Sequence, residues 1–466
     1  MTNTQFDTDY EKKRLSAEEA ANLVEPGMEI FLGGAANIAH IIDKHLARRK
    51  DELKDVLIRT FLDTRAHEFL KADPEGSVFK WYSGFLLHSV REYVSLRGSG
   101  VYQGVSWHMA PGLIRENYNV DISFFVTAPM DKYGYFNFGL TIAEMKAYCE
   151  ASKRIVVVVN KNMPVVYGGH EEAIHISEVA HVVEDHESDI FCLPEITVKD
   201  EDRLIAENVV AAGLIRDGTT LQIGIGGLPN SVLDALSDAG IRHLGIHSEM
   251  LTDKMYDLIE AGVVDNTRKT MDRYKSTFSF CLGSRRLYDF LDRNPSFASY
   301  PVDYVNSPMI IAQQPQMFSL NSTMQVDLAG QVASEQIGGA RPRHISGTGG
   351  QLDFVMGTLF SHDRKGISVL ALYSQHKGKS RIVPILDEGT IITVPRSLVD
   401  YVVTEYGLVR LRGLSFNERA MALIRIAHPA HRESLFQKAL EAGFIPHPSA
   451  LEGKPPKGVI NCRDAG

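Results

Sequence analysis

The chain has 466 residues, of which 44% are hydrophobic and 23% charged, the make-up of a globular protein with two or three domains and an ample core. Its net charge of −9 argues against a nucleic-acid binder, which would show a basic domain or stripe, yet allows a local basic groove. Four scattered cysteines (Cys149, Cys192, Cys281 and Cys462) form no CxxC pair, the polar start MTNTQFDTDYEKKR is not a signal peptide, and no apolar run reaches the roughly 18 residues that span a bilayer. A cytoplasmic protein without membrane or nucleic-acid partners is therefore expected.

Along the chain, apolar β-branched runs alternate with helical patterns. The amphipathic SAEEAANLV precedes MEIFLGG, DVLIRTFL, VDISFFVTAP and RIVVVVN, which read as strands. In the second half TLQIGIGG, HLGIHSEM, ISVLALYS, TIITVP and DYVVTEYG read as strands, with helices at NSVLDALSDAG, KMYDLIEAG and FNERAMALIRIAH. Runs such as RIVVVVN are apolar on both faces, as strands covered by helices on both sides must be. The fold class predicted is α/β, with parallel or mixed sheets flanked by helices.

An internal echo sets the domain count. Ala20 to Asn37 (AANLVEPGMEIFLGGAAN) reads against Ala211 to Asn230 (AAGLIRDGTTLQIGIGGLPN). Each copy runs helix, tight turn, strand, then a glycine turn that ends in Asn and opens another helix. Two related open α/β domains are expected, at residues 1–200 and 201–447, divided at the charged, helix-poor stretch Thr197 to Arg203. The remainder, 448–466, carries Pro455-Pro456 and lacks periodicity, so it reads as an extended, loosely packed tail.

Only the second copy continues into LGIHSEML, where Glu249 ends a short apolar run. Strand ends in α/β proteins face the ligand crevice. A glutamate there is a solvated charge, a metal ligand, a general base or a nucleophile. Metal ligation scores poorly, because His243 and His247 lie on a strand pattern with no third ligand at suitable spacing. A serine hydrolase would need a GxSxG elbow, which is absent. Ahead of Glu249, the turn Gly224, Ile225, Gly226, Gly227, Leu228 exposes backbone amides where a helix begins, a nest for a phosphate or an oxyanion. It departs from the GxGxxG dinucleotide fingerprint, which disfavours an NAD-dependent oxidoreductase. A second glycine loop holds Ser346, Gly347, Gly349 and Gly350, directly after the basic Arg341-Pro342-Arg343-His344. A third cluster, Lys377, Lys379 and Arg381, is basic in an otherwise acidic chain. A carboxylate beside oxyanion-binding amides can attack an activated acyl group without an activating base.

Taken in order, APMDKYGYFNFG, VNKNMP, GIGGLPN, LGIHSEML, GSRRLYDFL, ISGTGGQLDF, SRIVP, VVTEYG and IAHPAHRE resemble the coenzyme A transferases of the acetyl-CoA hydrolase/4-hydroxybutyrate CoA-transferase type, especially the butyryl-CoA:acetate CoA-transferases. The likeness covers roughly Tyr10 to Ile445. It implies two related domains of CoA-transferase fold and a catalytic Glu249. It also implies oxyanion donors at the amides of Ile225 and Gly350. Coenzyme A contacts are implied at Gly224 to Leu228, Val326, Ser346, Gly347, Gly349, Gly350 and Lys377, with Lys379 as a substitute for Lys377.

The implied reaction is ping-pong, through an acyl-glutamyl anhydride and a glutamyl-CoA thioester. It takes acyl-CoA and a free carboxylic acid as substrates and needs no prosthetic group and no metal. A homodimer or higher homo-oligomer is expected. Where many relatives read FVRGA, this chain reads FVMGT, with Met356 in place of the basic residue, so the preferred acid does not carry over. The basic Arg341 to His344 leaves room for a dicarboxylate such as succinate or itaconate. Acyl-CoA hydrolysis through the same glutamate is the near alternative, and a ligand-sensing protein the distant one.

Overall fold

The unbroken apolar run Ile155 to Val159 cannot face water on either side, and the fold buries all of it. The computed structural model describes residues 5–94, 100–169, 171–340, 342–445 and 458–463. Its first sheet has eight strands, all parallel, in the order Arg14–Leu15, His181–Glu184, Ser152–Val159, Val120–Thr127, Glu29–Gly34, Val56–Phe61, Phe79–Ser83 and Gly100–Tyr102. Val156, Val157 and Val158 at its centre are fully buried, as strands with helices on both faces require.

The second sheet has seven strands in the order Gly245–Ile246, Thr220–Ile223, Phe318–Ser322, Ile367–Ala371, Tyr401–Thr404, Gly407–Arg410 and Val459–Cys462. The first five are parallel and the last two antiparallel. From Thr220–Ile223 the chain passes to Gly245–Ile246 on one side and later returns to Phe318–Ser322 on the other. Such a reversal opens a crevice at the carboxyl ends of the two central strands, where ligands of open α/β sheets bind. Helix Gly227–Asp238 starts at one lip of it, and helix Gln351–Leu359 packs against Phe318–Ser322 and Ile367–Ala371.

Several expectations need correction. TIITVP is not a strand: Ile391 and Ile392 are partly exposed, and only Thr393 and Val394 bond Val332 across a strap. The stretch at Thr197 to Arg203 is half helical, because Asp200, Glu201 and Asp202 supply the acidic first turn that favours the start of helix Asp200–Ala211. Strands Phe79–Ser83 and Phe318–Ser322 escaped notice because polar residues interrupt them. The tail is no loose appendage where it is described. Val459–Cys462 adds an edge strand to Gly407–Arg410, and Asn461 donates to the Asn208 carbonyl at 2.9 Å. Residues 448–457 and 464–466 lie outside the described part.

The two halves of the echo serve different ends. In the first, Asn37 is buried and its Nδ2 donates to the carbonyls of Val126 (2.8 Å) and Phe138 (2.5 Å), closing the turn into the sheet. In the second, the turn leads to the crevice. Asn37→Ala strands two buried carbonyls and is expected to lower unfolding stability by about 2–3 kcal/mol, read by chemical denaturation. A loss under ~0.5 kcal/mol would refute this structural role.

Candidate active site

HLGIHSEM is not one strand. His243 has a positive φ of 60°, Gly245–Ile246 gives two residues of parallel pairing, and the chain then bends at Ser248 and Glu249. Met250–Leu251 pairs instead with Phe280–Cys281. Glu249 therefore sits where the backbone leaves one sheet for another. Its carbonyl is fixed by the amides of Ser279 (3.0 Å) and Phe280 (3.2 Å), and the Ser248 hydroxyl donates to the Met250 carbonyl at 2.8 Å.

His247, the preceding turn's histidine, is sealed in the core. Its Nε2–H donates to the Val305 carbonyl (2.7 Å), its Nδ1 faces the Gln314 amide (3.2 Å), and burial pulls its pKa down to about 3. It is a neutral structural group. His243, exposed, pairs with Asp265 instead, so these two histidines do not converge.

The Glu249 carboxylate points into a cavity of about 340 Å³. Asn306 Nδ2 donates to Oε2 at 2.7 Å, and the Gly350 amide also donates to the carboxylate. Burial nevertheless pushes the Glu249 pKa up to about 7, because the charged form has lost its water; the neighbouring Asp353 adds to the rise, while Asn306 and Gly350 oppose it. The contact with Gly350 demands glycine: a β-carbon there would lie 1.9 Å from Oε2 and 2.1 Å from Asn306 Nδ2.

The same cavity brings together Gly224, Ile225, Ser346, Gly347, Gly349 and Gly350. Ile225 is 40% exposed, so its backbone borders open space. Gly226 and Gly350 are the residues that precede helices Gly227–Asp238 and Gln351–Leu359, so both glycine loops end at helix N-termini. Gly226, Gly227 and Leu228 do not line the cavity. Gly227 instead lets the turn approach helix Asp200–Ala211, since a β-carbon would lie 2.5 Å from Asp202 Oδ2.

Lys377 lies elsewhere. It occupies the tip of the hairpin Gln375–His376/Lys379–Ser380, with φ 50°, and lines a second cavity of about 680 Å³ together with Lys199, His376, His428 and Arg463. Lys379 and Arg381 are outside both linings. So is Val326, whose side chain is fully buried between Val332 and Ile382 strands. A side-chain contact from Val326 to a ligand is thus ruled out by burial. Met356, partly buried on helix Gln351–Leu359, lines neither cavity. Of the basic Arg341 to His344, Arg341 lies outside the described residues, and Arg343–His344 pairs with Gln336–Ile337.

Sequence reading missed the residues that hold the site from behind. Asp353 is fully buried and accepts from the Ser106 hydroxyl, His108 Nδ1 (2.7 Å), the His108 amide (3.1 Å) and Asn306 Nδ2 (3.4 Å). Tyr102 OH donates to Glu335 Oε2 (2.7 Å) and accepts from the Thr348 amide (2.7 Å). The Trp107 amide donates to the Gly349 carbonyl at 3.2 Å. Asp353 lies in ISGTGGQLDF, but Tyr102, Ser106, Trp107, His108 and Asn306 belong to no motif; the only signal for the first four is the density of polar and aromatic residues in GVYQGVSWHM.

Removing the Asn306 donor takes away a bond to the charged form. Asn306→Ala should therefore raise the Glu249 pKa further above about 7, while Asp353→Asn should lower it, both followed by NMR titration of labelled glutamate. Shifts of the same sign in the two variants would contradict this electrostatic picture.

Residues 1–194 match the acetyl-CoA hydrolase/transferase N-terminal domain and residues 283–439 match the acetyl-CoA hydrolase/transferase C-terminal domain. The chain is 36% identical over 434 residues to the probable butyrate:acetyl-CoA coenzyme A-transferase of Syntrophomonas wolfei, covering 92% of this chain and 96% of that one. It is 37% identical over 443 residues to the butyryl-CoA:acetate CoA-transferase of Anaerostipes caccae, covering 94% and 98%. Among solved structures, RipA from Yersinia pestis superposes with a TM-score of 0.83 at 34% identity, over 95% of this chain and all of that one (100%).

Proposed function

Because the chain belongs to the acetyl-CoA hydrolase/transferase family, we propose that it moves coenzyme A from a short-chain acyl-CoA to a free carboxylate, with Glu249 as the nucleophile. The observation that carries this reading is the placement of one desolvated carboxylate against Gly350, in a cavity that Ile225 also borders. The full-length likeness to butyrate- and acetate-using CoA-transferases supports the substrate class.

In the first half-reaction the Glu249 carboxylate attacks the thioester carbonyl, and the amides of Ile225 and Gly350 receive the charge that develops on its oxygen. The C–S bond breaks, leaving an acyl-glutamyl anhydride and CoA thiolate. The thiolate then attacks the glutamyl carbonyl and expels the first acid as its carboxylate. An incoming carboxylate reverses these two steps and departs as the new acyl-CoA. The thioester bond is conserved throughout, so the sum needs neither ATP nor a redox partner.

Burial serves this chemistry. A carboxylate stripped of water is a stronger nucleophile than a hydrated one, and its raised pKa reports that loss. One removed oxyanion donor typically costs ~100–1,000-fold in rate. The larger cavity, lined by Lys199, Lys377, His428 and Arg463 as well as by Asp200, Glu201 and Glu405, offers cations to the phosphates of the coenzyme's nucleotide end. In this reading residues 1–200 wall the acyl side and 201–447 carry the nucleophile. Four unpaired cysteines support a reducing, cytoplasmic setting.

Incubation with butyryl-CoA followed by borohydride or hydroxylamine should modify Glu249 covalently, as mass spectrometry of peptides would reveal, and Glu249→Ala should abolish the adduct. A wild-type protein left unmodified by every short acyl-CoA would end the transferase reading. Release of free thiol at equal rates with and without acceptor acid would favour hydrolysis instead.

The nucleophile must be ionised. Turnover of the free enzyme, read as kcat/KM, should therefore fall as the pH drops through about 7. A profile that stays flat down to pH ~5, near the ordinary glutamate value, would contradict the raised pKa.

A further inference from the structure

The cavity around Glu249 contains one positive charge that the transfer chemistry leaves unused. Arg91 lies on the short turn His88–Tyr93, which the first half of the chain sends to the cavity wall beside Leu86 and Leu87. Among the described residues lining this cavity, Arg91 is the only cationic side chain and Glu249 the only anionic one. Among the described residues neither Glu249 nor any other carboxylate bears on the charge of Arg91. Its Nε is sealed from solvent and meets no acceptor there. The charge that does bear on it is the guanidinium of Arg343, which together with burial pushes the Arg91 pKa down.

A half-buried guanidinium with a like charge nearby gains from a neighbouring anion. An anion in the cavity would offset that charge through the guanidinium's outer N–H groups, while the sealed Nε stays out of its reach. The planar guanidinium fork matches a carboxylate, and the lining that Arg91 shares with Glu249 includes Leu62, Phe85, Leu86 and Leu87, which suit a methylene chain rather than a phosphate. The coenzyme's phosphates have separate cations in the larger cavity, which shares no lining residue with this one.

We propose that Arg91 binds the remote carboxylate of a short dicarboxylic acid whose other carboxylate exchanges coenzyme A at Glu249, which makes Arg91 the residue that selects a diacid over a monoacid. The inference rests on the transferase reading and sharpens its acid. A short diacid would present one carboxylate for exchange at Glu249 and the other to Arg91, whereas a monocarboxylate would bring Arg91 no counter-charge. Rejection of an analogue that strands a buried polar group is the stronger form of specificity.

The test uses the full-length protein, acetyl-CoA as donor, and two acceptors of equal length: succinate, and butyrate, which replaces the second carboxylate by a methyl. The new acyl-CoA is quantified by mass spectrometry. The wild type should favour succinate by about tenfold or more in kcat/KM, and Arg91→Leu should lower the succinate-to-butyrate ratio on the order of 100-fold. Arg91→Lys keeps the charge but loses the fork, so its ratio should fall between those two; it carries the test should the leucine variant fail to fold.

An equal loss for both acids, with a raised KM for acetyl-CoA, would make Arg91 a counter-ion of the coenzyme and overturn the proposal while the transferase reading stands. So would a wild type indifferent to the second carboxylate. Absence of coenzyme A transfer to any acid would instead remove the transferase reading itself.

Discussion

Everything at this site follows from how closely one carboxylate is held against one backbone position. Oε2 of Glu249 occupies the space that a side chain on residue 350 would fill, and Asn306 occupies the rest. A carboxylate placed so deep loses its hydration, and two donors do not fully replace it, which is why its pKa stands near 7 rather than in the usual carboxylate range. The remaining imbalance leaves the group reactive toward an electrophile that can share its charge. The same geometry ties the second glycine loop to the carboxylate: any movement of Gly350 alters the surroundings of Glu249 directly.

That loop is anchored by the other half of the molecule. Tyr102, at the edge strand of the first sheet, bonds the Thr348 amide, and the Trp107 amide bonds the Gly349 carbonyl. Ser106 and His108 bond Asp353, which contacts Asn306, which bonds Glu249. A continuous run of hydrogen bonds thus leads from Ser106 and His108 in the first half of the chain to the Glu249 carboxylate. The two halves share one site, with the first setting the position of groups that the second supplies.

Charge is distributed to match. Against an overall charge of −9, the larger cavity gathers Lys199, Lys377, His428 and Arg463 beside Asp200, Glu201 and Glu405, and the smaller holds Arg91. Local fields near low-dielectric walls outweigh the distant net charge at ordinary ionic strength, because screening removes the far contributions first.

The sequence alone determined the α/β class, since the valine and isoleucine runs fit only strands covered on both faces, and it singled out Glu249 with its two glycine loops through residue types that the backbone geometry requires. It could not show that HLGIHSEM breaks between two sheets, because a two-residue strand leaves no periodicity to read. Nor could it show that Val326 is sealed, that Lys377 opens onto a cavity of its own, or that Asn306, Asp353 and Tyr102 converge on the loop, since those pairings join residues 47 to 246 positions apart. Local chemistry is written in neighbouring residues and is legible there. The raised pKa of Glu249 and the lowered one of Arg91 arise from burial, and burial exists only once distant segments have packed together.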